Sequence, residues 1–250
     1  MSAFDRGAVY YEAFANATQR LRREGPFLLE QFQRAPGKRV LDMACGTGPH
    51  ALFFAEHGAE VTAVDFSETM LAYARQHRPH ARITYTQGDM RTVTGGPYDL
   101  AVCLGNSLCL ITEKADLAGV FKHVFHVLPP GGIFVTQTLN YRAPAAQQPR
   151  HRIERVTVGD ENVVAVKSLV PEGDHTLLSL NYFAQTPSGY ETISEAAVLR
   201  NWTETELLDA AKQAGFLLLD MAGSYDQKPF EPDVSTDILL VLRTSTNNAN

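Results

Sequence analysis

From Lys38 onward the chain repeats one unit: a short apolar run, a turn, then a stretch with helical spacing. Lys38–Met43, Glu60–Asp65, Arg82–Gln87, Tyr98–Leu104 and Ile133–Leu139 read as strands. Leu117, Val120, Phe121, Val124 and Leu128 recur at the interval that puts them on one face of a helix over 112–128. Pro49, after Gly48, can open the helix that follows the first strand, because a first-turn residue needs no amide hydrogen. Ser67 can cap a helix running to His77. Alternation of this kind predicts a doubly wound α/β fold whose mostly parallel sheet is covered on both faces.

The pattern changes at both flanks of this unit. Residues 1–36 read as a helical cap with an aromatic cluster, Tyr10, Tyr11 and Phe14. Between Arg152 and Leu199 lie four β-rich runs, separated by the turn clusters Gly159–Asn162, Pro171–Asp174 and Thr186–Gly189. Leu178, Leu180 and Tyr182 share one phase of that alternation, which predicts an antiparallel β-meander inserted over 151–200. Helical spacing resumes at Trp202, where Thr203 and Glu206 form a capping-box pair and Gly215 ends the helix. Phe216–Ala222 and Thr236–Leu242 add two strands. The organisation is therefore a cap (1–36), a core (37–150, completed by 201–243), an insertion (151–200) and a polar tail (244–250) expected to be disordered.

Composition narrows the partners. The 250 residues carry a formal charge of −6, with 28 acidic side chains against 22 lysines and arginines. No basic run stands out, so neither a nucleic acid nor an anionic membrane surface is an expected partner. Cys45, Cys103 and Cys109 form no CxxC pair and lie in apolar runs, as in a reducing compartment. The first residues lack an apolar signal segment and no run is long enough to span a bilayer, so the expected location is cytoplasmic. The eight histidines show no metal-ligand spacing, and His123 and His126 read as surface or helix-end residues, so no metal is expected.

The chemistry concentrates in Val40-Leu41-Asp42-Met43-Ala44-Cys45-Gly46-Thr47-Gly48-Pro49-His50, a strand leading through small residues into a helix. Gly46 and Gly48 leave backbone open to a ligand, and Asp42 stands at the strand's carboxyl end, where open α/β sheets bind ligands. Gly46-x-Gly48-x-x-Ala51, with Asp65 beyond, also fits the dinucleotide fingerprint, a weak signal alone. An acid four positions before Gly46 would repel a pyrophosphate but hold a methionine ammonium group. Gly88-Asp89-Met90 adds an acid that can accept from an adenine amino group, with Met90 against the ring.

Asp42-x-Ala44-Cys45-Gly46-x-Gly48, Asp65, Gly88-Asp89 and Pro130-Gly131-Gly132, in that order across the sheet, resemble class I (Rossmann-like) S-adenosylmethionine-dependent methyltransferases. The resemblance implies a seven-stranded sheet with an antiparallel last strand. It also implies roles: Asp42, Ala44 and the Gly46/Gly48 loop for the methionine part, Asp65 for the ribose and Asp89 for the adenine amino group. Phe66 and Met90 join that cofactor set, Leu104 gives backbone contacts, and Tyr11 covers the cofactor.

Cys103-Leu104-Gly105-Asn106-Ser107 and Asn140-Tyr141 are similar to stretches of glycine/sarcosine N-methyltransferases, which makes Asn106, Asn140 and Tyr141 the expected substrate-side groups. In that family an arginine gripping the acceptor carboxylate precedes the Asn-Tyr pair. Leu139 stands there in this chain, with Arg142 after the pair, so free glycine is not the expected acceptor. Amino-sugar N-methyltransferases carry a comparable antiparallel insertion. The expected reaction is methyl transfer to a small-molecule amine beneath the inserted sheet. O- or C-methyl transfer and nicotinamide-dependent oxidoreduction are the alternatives.

Overall fold

The computed structural model describes residues 7–186 and 189–245. Two helices, α1 (Ala8–Ala15) and α2 (Ala17–Arg34), form the cap. Asn16 divides them in the left-handed region at φ 49°, which asparagine tolerates, and its Oδ1 accepts the Gln19 N–H at 3.2 Å to cap α2. The core then runs β1 (Arg39–Met43), α3 (Pro49–Glu56), β2 (Glu60–Asp65), α4 (Glu68–His77), β3 (Ile83–Gln87), β4 (Leu100–Cys103), α5 (Lys114–Val127) and β5 (Ile133–Leu139). Four long strands follow: β6 (Arg150–Val158), β7 (Glu161–Glu172), β8 (His175–Thr186) and β9 (Gly189–Arg200). Helix α6 (Glu204–Ala214) and strands β10 (Leu217–Ala222) and β11 (Asp237–Arg243) complete the chain.

The core strands form one seven-stranded sheet in the order β10-β11-β5-β4-β1-β2-β3. Its last strand, β11, pairs antiparallel with both β5 and β10, while β1 through β5 pair in parallel. Strands β6 to β9 make a separate antiparallel four-stranded meander. Local signals hold in detail. Ser67 Oγ accepts the Met70 N–H, Pro49 opens α3, and Thr203 and Glu206 close a capping box. Gly215 ends α6 at φ 100°.

Several element ends move by one or two residues, and two differences from the sequence pattern have a clear physical cause. The fourth strand contracts to four residues, because Tyr98 N–H donates to Val127 O rather than to a strand and the Leu104 carbonyl accepts from Ser107 Oγ. Thr244 does not belong to a free tail: it is buried, and its Oγ1 donates to Pro129 O at 2.6 Å. The rest of that predicted tail beyond Ser245, the centre of the predicted Thr186–Gly189 turn and the first residues of the cap lie outside the described residues.

The meander is packed into the molecule. Val163, Ala165, Leu178, Leu180 and Tyr182 on its inner face share one apolar cluster with Tyr10, Leu108 and Trp202. Tyr10 and Tyr182 rings lie 5.6 Å apart, and Gly7 N–H donates to Glu195 Oε1 at 3.1 Å. At the other end Trp202 Nε1–H donates to the Leu108 and Ile111 carbonyls at 3.2 and 3.0 Å. The meander is thereby held over the carboxyl ends of β1 to β5, and a cavity of about 550 Å³ lies between them.

Candidate functional site

The loop after β1 is the cavity's fixed floor. Ala44, Gly46 and Gly48 all have positive φ (53°, 56° and 81°), and for alanine that conformation costs about 1–2 kcal/mol. Backbone bonds hold it: Cys45 N–H donates to Val64 O at 3.0 Å and Gly48 N–H to Cys45 O at 2.9 Å. From outside, Thr47 Oγ1 donates to Glu12 Oε2 at 2.6 Å, and Arg78, ion-paired with Glu12, donates to Thr47 O at 2.8 Å. The two glycines answer different demands. A Cβ on Gly46 would meet nothing within 4 Å and would stand in the cavity. A Cβ on Gly48 would lie 2.7 Å from Tyr85 Oη, so that glycine serves the packing of the loop and does not line the cavity.

Acids and apolar side chains rise from the next strand ends. Asp65 Oδ2 accepts the Gly46 N–H at 2.7 Å and Oδ1 the Ser67 N–H at 2.9 Å. Asp89 accepts from Arg91 Nε at 2.9–3.0 Å and from Nη2 at 2.5 Å, and these bonds hold its carboxyl below the ordinary range against partial burial. Arg91 is itself tied to Asp116 at 3.3 Å. Next in the chain after each acid stand Phe66, 57% exposed, and Met90, both on the cavity wall.

Of the predicted cofactor residues, Tyr11, Ala44, Gly46 and Asp65 line the cavity together with Phe66, Asp89 and Met90. Asp42 and Leu104 do not. Asp42 is 1% exposed beneath the loop, its Oδ2 has no hydrogen-bond partner, and burial pushes its carboxyl up to about 6. Leu104 is buried behind the wall.

On the substrate side only Asn106 reaches the cavity, and its amide is already engaged. Its Nδ2 donates to Tyr141 Oη at 2.8 Å, and its Oδ1 accepts the Leu139 N–H at 2.8 Å. Tyr141 therefore buttresses Asn106 from within the core. Asn140 is fully turned away: its Nδ2 donates to the Pro232 and Ser235 carbonyls at 2.7 and 2.8 Å, fastening the chain after β5 to the loop before β11.

Other wall residues lie outside the motifs. Arg20, partly exposed, comes from the face of α2 that carries Ala17 and Glu24. Its Nε donates to Glu24 Oε1 at 3.3 Å, and Glu24 Oε2 bonds His50 Nε2 at 2.8 Å. Burial works against the Glu24 carboxylate, but the His50 bond and the Arg20 charge outweigh it and hold its pKa down. A Cβ on Gly105 would lie 3.6 Å from Arg20 Nη2, so the guanidinium points to the loop after β4. From the meander come Arg152, Lys167, Leu178, Leu180 and Leu199. The spacing of Arg20 with Ala17, Glu24, Phe27 and Gln31 was the available signal for the first. For Lys167 it was a cation in the apolar phase Val163, Ala165, Leu169. Among the described residues no cluster is arranged to hold a metal ion, and no helix is long and apolar enough to cross a membrane.

Comparison with known proteins fits this geometry. A family model described as "Methyltransferase domain" matches residues 40–132. YqeM of Bacillus subtilis (strain 168), named as a methyltransferase, is 30% identical over 219 residues, covering 83% of this chain and 87% of its own. A glycine/sarcosine N-methyltransferase of Halorhodospira halochloris is 32% identical over 127 residues, 49% of this chain and 47% of that one. Among solved structures, S-adenosylmethionine-bound CalS10, an amino pentose methyltransferase from Micromonospora echinaspora, aligns with a TM-score of 0.71 at 22% identity, over 93% of this chain and 97% of that one.

The chain belongs to the class I S-adenosylmethionine-dependent methyltransferases. S-adenosylmethionine is its cofactor. The open space at Gly46, the two strand-end carboxylates and the exposed Phe66 face suit that molecule's methionyl, polar and purine parts.

Proposed function

We propose that this enzyme methylates an amine nitrogen of a small molecule seated against the inserted sheet. The reading is carried by one observation: a single cavity runs from Gly46, Asp65 and Asp89 to Leu178, Leu180 and Leu199. On this assignment Arg20 and Ala44 hold the methionyl carboxylate end and Asp65 the ribose. Phe66 and Met90 enclose the adenine, with Asp89 at its amino group. Bound S-adenosylmethionine supplies an electrophilic methyl group on a sulfonium.

What the chain adds is placement. The apolar inner face of β8 and β9 excludes water and turns the acceptor toward the floor. Orientation alone can supply about 7–11 kcal/mol of barrier reduction. The cations Arg20, Arg152 and Lys167 disfavour a further positive charge nearby, which keeps a bound amine neutral with its lone pair free. No separate general base is then required. Methylation of an oxygen is the second reading, because the same cations would stabilise an oxygen anion, and a malonyl-carrier-protein O-methyltransferase of Pectobacterium atrosepticum is among the relatives.

The test is a panel of amines, amino acids, amino sugars, phenols and carboxylic acids with product mass as readout, beside calorimetric titration of S-adenosylmethionine and NAD. We expect one site for the sulfonium cofactor and mass gain on amines. Product only on oxygen acceptors would replace the amine reading with the second one.

A further inference from the structure

The inserted sheet presents a charge arrangement away from the strand-end loops that carry the cofactor motifs. Arg152 of β6 and Lys167 of β7 are directly opposed in the antiparallel register, so their side chains leave the same face, and both line the cavity. Like charges in that relation destabilise a sheet. Lys167 is also surrounded by apolar positions. It faces Leu180 across β8, and its same-face neighbours along β7 are Ala165 and Leu169. Burial, with Arg20, Arg152 and Arg150 nearby, pushes the Lys167 ammonium below the usual lysine range.

Acids compensate Arg152 but not Lys167. Glu154 takes Arg152 at 2.7 Å, and Glu195, beyond Leu180 on β9, accepts the Gly7 N–H. Among the described residues no carboxylate pairs with Lys167. Arg150, on the same face of β6, has its Nε and Nη2 buried without a hydrogen-bond partner. Long cationic side chains are seldom buried unless paired. Lys167 and Arg150 therefore stand on this apolar face with no counter-charge among the described residues, whereas Arg152, half exposed, has Glu154 and also the Phe14 carbonyl at 3.2 Å.

We propose that Arg152 and Lys167 form an oxyanion subsite of the acceptor pocket, so that the molecule methylated carries a carboxylate or phosphate group remote from its nucleophile. The proposal rests on the acceptor lying against the inserted sheet. The anion would pair with the Lys167 ammonium and relieve the opposed charges. It also orients the acceptor, because a group anchored on β6 and β7 leaves the other end directed to the floor.

The experiment uses the full chain loaded with S-adenosylhomocysteine, titrated with inorganic phosphate and with acetate, for wild type, Lys167→Met and Arg152→Met. One or both anions should bind wild type, and each substitution should weaken that binding by roughly tenfold or more. Affinity for S-adenosylhomocysteine should stay unchanged, and the ligand-free Lys167→Met protein should melt no lower than wild type, since it loses a desolvated cation. Preference for phosphate or for acetate names the source of the anion.

Three results would overturn the subsite: no binding of either anion, equal binding in both variants, or equal loss of S-adenosylhomocysteine in Lys167→Met. The last would make the cations partners of the cofactor's own carboxylate. None of these readouts needs turnover, so they stand apart from the amine panel: failure to methylate any amine sinks the proposed reaction and leaves the anion measurement standing.

Discussion

The two walls of the cavity are built in opposite ways. At the sheet edge, the carboxylates that face the cavity are already provided for: Asp65 by two backbone N–H groups and Asp89 by a guanidinium. Across from them, β7 presents Lys167 with no acidic partner among the described residues, opposed to Arg152 and framed by leucines. The first wall is complete before a ligand arrives, which fits a site that always takes the same cofactor. The second keeps an unmet electrostatic demand, and that demand points to the chemistry of what it receives.

The largest expected effect separates the walls outright. Gly46→Val puts branched carbon into space that is empty and into a backbone at φ 56°. We expect cofactor affinity to fall by roughly a hundredfold or more, an overpacking cost of about 3 kcal/mol, measured by calorimetry. Leu180→Trp on the opposite wall should leave that affinity intact while methyl transfer to the best acceptor falls. Loss of cofactor binding in Leu180→Trp would show that the walls are not separable.

The same division decides what was legible in the chain. Asp42, Gly46, Asp65 and Asp89 fall at strand ends, and in a parallel α/β sheet every strand end reaches the same edge. Position along the sequence therefore gave position in space, while the seven strands and the antiparallel last one came from the family resemblance. Even so, strand-end position could not tell that Asp42 points beneath the loop, or that Gly48 is required by Tyr85. The acceptor wall is set by register. Arg152 meets Lys167 only because the β6–β7 turn fixes their pairing, and Arg20 arrives from a helix whose docking no motif announces. The likeness to glycine/sarcosine N-methyltransferases points Asn140 and Tyr141 at the acceptor, yet their hydrogen bonds turn them into the scaffold.

An intermediate effect asks whether a costly charge lies beneath the cofactor wall. Burial raises the Asp42 carboxyl from 3.8 to about 6, despite the opposing effect of nearby His50. A raised carboxyl favours the folded state fully below its ordinary value, and that contribution disappears as pH rises through about 6. The ligand-free protein at pH 8 therefore lacks about 3 kcal/mol that it would have with Asp42 protonated. Asp42→Asn should accordingly raise the melting temperature at pH 8, with the difference closing toward pH 4. Because Asp42 lies off the wall, cofactor affinity should change by less than about tenfold. A loss far beyond that would return Asp42 to direct contact with the methionyl group.

The smallest effect concerns a cation that sequence adjacency makes look important. Arg142 follows the Asn140-Tyr141 pair, close to where a carboxylate-gripping arginine would stand, and could in principle replace the one missing at Leu139. The structure gives it other partners. Its Nη1 lies 2.8 Å from Glu204 Oε1 and its Nη2 3.6 Å from Asp233 Oδ1, and it does not line the cavity. To reach an acceptor it would have to leave both carboxylates, including Glu204, whose side chain is only 13% exposed. Arg142 itself is half exposed, so its pairs contribute about 0–1 kcal/mol. Arg142→Ala should thus lower the melting temperature by a few degrees at most and leave discrimination between glycine and larger anionic amines unchanged. Lys167→Met, by contrast, should erase the advantage of the anionic ones. If wild type turns over glycine efficiently and Arg142→Ala alone abolishes it, the carboxylate anchor lies on the β5 side, and the contrast between the two walls fails.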